Sequence, residues 1–189
     1  VHQSDCIAKY EKDKPMKFNL EKSKEILRQT PATLNNLLNN LSGDWIRNNE
    51  GGESWSPYDI VGHLIHGERA DWIDRIKIIL EFGESKAFEP FDRFAQFKSS
   101  EGKFLGDLLQ TFAELREKNI KELDSLNITE EQLNLRGQHP ALGTVTLSQL
   151  ISTWTVHDLN HIAQIVRVMS KQYADEVGPW KDYLPVLAR

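Results

Sequence analysis

The chain has 189 residues, of which 39% are hydrophobic and 27% charged, with a formal net charge of -5. That length suits one domain with a sizeable core, and an acidic chain without a basic stripe argues against nucleic-acid binding. A single cysteine, Cys6, excludes an intramolecular disulfide and any Cys-rich zinc site.

Residues 1–17 (VHQSDCIAKYEKDKPMK) are polar and aperiodic, so they are expected to form an extension preceding a domain over residues 18–189. They contain no apolar centre of the kind a signal peptide carries, which leads to the expectation of a cytoplasmic protein. No apolar run approaches the roughly 20 residues needed to cross a bilayer. A first helical pattern runs from about Leu20 to Leu41, with a break expected near Thr30 and Pro31, because proline disfavours helix geometry in the residue before it. After the linker SGDWIRNNEGGESW, a second helix is expected from Ser56 to about Phe82. Ser56 can cap it, Pro57 suits the first helical position and Asp59 adds negative charge to the first turn.

A long loop, GESKAFEPFDRFAQFKSS, leads to a third helix over about Lys103 to Leu126. A loop containing Gly137, His139, Pro140 and Gly143 precedes the last long helix, capped by Thr146 and running to about Tyr173. The nearest thing to a strand, Val145 to Leu147, is too short to count. Four long helices with one long crossover loop predict an all-α protein, a four-helix bundle.

On the last helix, Leu147, Leu150, Ile151, Trp154, Ile165, Val168 and Met169 recur at three- and four-residue spacing. His157 and His161 fall on the same stripe, so both rings project inward from consecutive turns. Burying two neutral imidazoles is costly unless each ring nitrogen finds a partner. Hydrogen bonds to neighbouring helices would satisfy them, and so would a metal, which an i,i+4 pair can hold with one nitrogen from each ring. The second helix offers a third candidate in GHLIHGE. His63 shares a mixed stripe with Gly67 and Asp71, whereas His66 points further round, toward a rim. His139 lies in a loop that can approach a pocket mouth.

The segments WSPYDIVGHLIHGE (residues 55–68) and TWTVHDLNHIAQI (residues 153–165) resemble the second-helix and last-helix signatures of the DinB/YfiT-like metalloproteins. The VGPW and YLPVL segments are similar to the ending of many members, so the likeness spans roughly residues 18–187. The resemblance implies a four-helix bundle and a divalent metal held by His63, His157 and His161, choosing His63 over His66. Three neutral histidines leave a coordination position open to water or substrate, the arrangement of a catalytic site. Zinc is favoured on ligand chemistry, while imidazole also suits nickel, iron and copper.

The resemblance extends to function as a metal-dependent thiol S-transferase acting on a small-molecule substrate with a low-molecular-weight thiol such as bacillithiol or mycothiol. A metal-dependent hydrolase and a non-catalytic, stress-related metal-binding bundle are the alternatives. Glu68 matches an acidic position of the family motif and is a candidate base, with a salt bridge as the plainer alternative. Asp158 also matches the pattern and is a candidate acceptor fixing a ring tautomer, Gln164 matches it too, and Asn160 is expected on the plain surface. HDLNH differs from the HExxH of zinc proteases in placing Asp158, one methylene shorter, where the base Glu stands. The substrate pocket is expected between the loop from Gly83 to Ser100 and the loop carrying His139. Five tryptophans, Trp45, Trp55, Trp72, Trp154 and Trp180, are many for one bundle; one or two near its ends suit a contact between copies, and the resemblance points equally to a homodimer.

Overall fold

The computed structural model describes residues 16–188. Seven helices and one hairpin follow in chain order: α1 (Leu20–Leu38), α2 (Gly43–Arg47), α3 (Pro57–Ala70), α4 (Trp72–Phe82), α5 (Ala95–Ser100), α6 (Leu105–Ser125), β1 (Arg136–His139), β2 (Gly143–Thr146) and α7 (Leu147–Lys171). The bundle consists of α1, the α3–α4 pair, α6 and α7. In it α1 packs on α6 and α7, and α3 packs on the same two partners, which closes a ring of four. No helix among the described residues is long and apolar enough to cross a membrane. The expected extension falls almost wholly on residues 1–15, which lie outside the described residues together with His2 and Cys6.

The caps behave as their sequences dictate. Ser56 and Asp59 form a reciprocal capping box at the start of α3, and Thr146 and Gln149 form another at the start of α7. Three expectations need correction. First, α1 runs unbroken through Pro31. Proline removes the N–H that would bond the carbonyl of Leu27, four residues earlier, and here that carbonyl accepts from Arg116 Nη1 at 2.8 Å. The defect in the helix is filled by a side chain from α6. Second, the expected second helix is two helices, interrupted at Asp71 (φ -127°, ψ -74°). Third, residues 136–146 form an antiparallel hairpin in register Arg136↔Thr146 to His139↔Gly143. Gly137 lets that hairpin lie against α4, because a Cβ there would fall 2.6 Å from Ile79 Cγ1.

The core is divided. One apolar cluster contains Leu27, Trp72, Ile76, Ile120, Leu123, Ile151 and Trp154. The other contains Leu34, Leu38, Ile60, Leu64, Leu108, Phe112 and Ile165. Between them, along α3, α6 and α7, lie buried polar residues: His63 and Glu68, then Arg116 and Asn119, then Asp158 and His161. A polar layer across the waist of a bundle forgoes hydrophobic stabilisation of about 25 cal/mol per Å² of apolar surface, so it calls for an explanation. The polar layer is where the candidate site lies.

Candidate metal centre

His63 comes from the middle of α3, and His157 and His161 from consecutive turns of α7. Their Nε2 atoms converge. His157 Nε2 lies 3.1 Å from His63 Nε2 and 3.1 Å from His161 Nε2, and ligand atoms of the three rings fall within 4.8 Å of one another. Two nitrogens each about 2.0–2.1 Å from one cation at a near-tetrahedral angle stand about 3.3 Å apart. The spacing therefore fits a shared divalent ion.

The protonation pattern points the same way. Burial, then the neighbouring rings, pulls His63 down to about 3 and His157 down to about 2. Burial also lowers His161, against the opposing pull of its Gln164 bond and the Asp158 charge. All three are thus neutral near pH 7 and offer lone pairs. With Gln164 Oε1 accepting from His161 Nδ1 at 2.8 Å, the proton of that ring sits on Nδ1 and its Nε2 faces the cluster as a lone pair. His63 Nδ1 and His157 Nδ1 find no hydrogen-bond partner among the described residues. The Nε2 atoms have only one another as polar neighbours, and three lone pairs aimed at one point are a donor set that could hold a metal ion.

The rings open onto a cavity of about 810 Å³, within the range of small-molecule sites. Trp55, at the approach to α3, packs on His63 at 4.8 Å between ring centroids, and Phe91 meets the same ring edge-on at 5.6 Å. Trp72 stands edge-on to His157 at 5.1 Å. Pro90, Phe91 and Arg93 from one loop, with His139, Pro140 and Ala141 from the hairpin, form the mouth, as expected of those two segments. His66 is half-buried against Phe91, at the rim where its position on the helix put it. Asn160 is exposed but lines the cavity, so it is not plain surface.

Glu68 and Asp158 are placed elsewhere. Both grip Arg116, Glu68 Oε1 at 2.8 Å from Nη2 and Asp158 Oδ2 at 2.6 Å from Nη1. Glu68 also accepts from Trp154 Nε1 at 3.0 Å and from Asn119 Nδ2 at 3.0 Å. Burial opposes the charge of Arg116, yet the two carboxylates raise its pKa on balance. For Glu68 the salt bridge is the observed role. Asp158 makes no hydrogen bond to a histidine ring, and Gln164 is the residue that sets a tautomer. Neither carboxylate lines the cavity. The sequence reading passed over Arg116, although it stands on the inward stripe of α6 with Leu109, Phe112, Ile120 and Leu123, and a charge there is itself a signal.

Comparison with known proteins gives three findings. The sequence model of the DinB superfamily matches residues 26–165. Curated protein sequences give no match. Among solved structures, the chain is similar to YfiT from Bacillus subtilis, described as "a probable metal-dependent hydrolase with an unusual four-helix bundle topology", with a TM-score of 0.71 at 22% identity over 89% of this chain and 95% of that one. At that identity the likeness speaks for the fold.

Proposed function

The chain belongs to the DinB superfamily, and from that premise we propose that it is a metal-dependent enzyme acting on small molecules, with His63, His157 and His161 as its metal ligands and zinc as the favoured ion. The convergence of three neutral imidazoles on the wall of a cavity, with His157 Nε2 at 3.1 Å from the Nε2 atoms of both His63 and His161, carries this reading. A divalent cation bound there would lower the pKa of a coordinated thiol or water and polarise an electrophile. The chain's own part is to hold three lone pairs on one point, with Gln164 fixing one ring, and to shelter that point between Trp55, Trp72 and Phe91. Chelation separates this reading from that of a purely structural metal: the fold should survive it while activity is lost.

The reaction favoured is transfer to or from a low-molecular-weight thiol. Attack by water calls for a group that takes its proton, and the carboxylates of Glu68 and Asp158 are engaged by Arg116. A thiol starts from a pKa of about 8.5, far below that of water, so a neighbouring cation ionises it the more readily, its proton passing to solvent without a protein base. Hydrolysis is the second reading, supported by the description of YfiT. The test is to assay metal-loaded protein for thiol conjugation to small electrophiles and for ester and amide hydrolysis, before and after chelation and with His157→Ala. The reading expects conjugation that disappears with the metal and with the substitution. Hydrolysis alone would transfer the case to the second reading, and turnover indifferent to chelation would end both.

A further inference from the structure

The cavity is longer than a metal centre needs. His63, Gly67, Asp71 and Arg75 all line it, and they follow one another at intervals of four along α3 into α4, so they form one wall. At 1.5 Å per residue, Asp71 lies about 12 Å beyond His63. Gly67, midway, keeps the wall low: a Cβ there would sit 3.2 Å from Trp72 Nε1.

Asp71 is the unexplained group on this wall. It holds the N-cap position of α4, where an aspartate ordinarily accepts from the first-turn N–H groups, yet its side chain makes no capping bond. It is only 7% exposed. Its Oδ1 stands 2.5 Å from Arg75 Nε, an ion pair in which the N–H is not directed at the oxygen and makes no hydrogen bond to it. That guanidinium is itself held, with Nη2 donating to the Glu89 carbonyl at 3.3 Å and its plane over Phe88. Burial, followed by the charges of Asp74 and Glu68 against that of Arg75, pushes Asp71 up to about 6. A carboxylate that makes no cap, is largely desolvated and is paired with one poorly directed guanidinium keeps the capacity to accept from a further donor on the cavity side.

We infer that Asp71 forms a distal subsite that accepts the primary ammonium end of an elongated thiol whose sulfur lies at the three histidines. The inference rests on the metal–thiol reading above and adds a substrate class to it: aminothiols long enough to span the roughly 12 Å of helix rise between His63 and Asp71. Charge-assisted hydrogen bonds of this kind are stronger than neutral ones, and the partner with most to offer a donor-poor carboxylate is a cation.

The test uses the full chain loaded with cobalt(II) and follows the sulfur-to-cobalt charge-transfer band while eight-carbon thiols ending in an amine, a hydroxyl or a carboxylate are titrated in. The amine-ended probe should bind about tenfold more tightly than the other two. Asp71→Asn should abolish that advantage, and a two-carbon aminothiol, too short to reach, should show none. Equal affinity for the three end groups would overturn the subsite while the band itself kept the metal–thiol reading. An advantage that persists in Asp71→Asn would overturn it as well. If cobalt binds but no thiol gives a band, the thiol reading fails and the subsite with it. Should Asp71→Asn not fold, chain length on the unsubstituted protein decides, because an amine advantage equal at two and eight carbons contradicts a distal site.

Discussion

Two polar clusters occupy the waist of the bundle on different sides of α3 and α7, and they treat buried polar atoms in opposite ways. Around Arg116, the carboxylates of Glu68 and Asp158, the Asn119 amide, the Trp154 indole and the Leu27 carbonyl draw α1, α3, α6 and α7 together, and only Arg116 Nε is left without a partner. Around the histidines, three nitrogens crowd together, two Nδ1 atoms have no partner, and one side opens to a cavity. The first cluster is satisfied within the protein but for that one nitrogen. The second turns three Nε2 atoms toward one point, a donor set able to hold a divalent cation. Buried polarity alone therefore does not mark a functional site; converging lone pairs beside a cavity do.

Breaking the Arg116 cluster should have the largest effect. Arg116→Met leaves two carboxylates buried without a counter-charge, and urea unfolding should show a loss of about 3–5 kcal/mol. A loss under about 1 kcal/mol would mean that the network relaxes or hydrates readily. Loading the histidine cluster comes next. Zinc at 100 times its dissociation constant should stabilise the protein by about 2.7 kcal/mol, read as a rise in melting temperature that His157→Ala abolishes.

Acid should distinguish the clusters further. In the metal-free protein the lowered values of His63 and His157, with His161 shifted in the same direction, mean that the unfolded chain takes up protons below about pH 6.5 while the folded rings do not. Their stability contribution is complete above that pH and is lost progressively toward pH 2–3. Asp71, raised to about 6, works in the opposite sense from pH 6 downward and offsets part of the loss. Denaturant titrations should show about 1–2 kcal/mol less stability at pH 5.5 than at 6.5, and bound zinc should oppose the decline. Unchanged stability would contradict burial of neutral rings. The smallest effect belongs to Trp154→Phe, which removes one donor from Glu68 and should cost about 1 kcal/mol with metal binding intact.

Much of this was legible in the sequence. Caps at Ser56 and Thr146 fixed two helix starts, and the stripe on the last helix turned His157 and His161 inward. The choice between His63 and His66 came from family resemblance, since periodicity left it open for a physical reason. α5 covers the outer face of α3, with Tyr58 bonded to the Ser100 carbonyl and Gly62 closed off by Ser100, so α3 is buried nearly all round and shows no single apolar stripe. The Pro31 expectation failed because the compensating donor, Arg116, is 85 positions away in sequence. The interruption at Asp71 was hidden because Trp72, Ile76 and Ile79 continue the apolar spacing beyond it. The hairpin at residues 136–146 escaped notice because its strands are four residues each, and contact with α4 rather than alternation secures it.

The most direct test is the metal content of purified, zinc-reconstituted protein beside that of His63→Ala, His157→Ala and His161→Ala, each checked for retained helicity. One ion per chain in the parent, falling toward zero in every folded variant, is the predicted result. Folded parent protein that takes up no metal, or a His157→Ala variant that binds as much as the parent, would contradict the account.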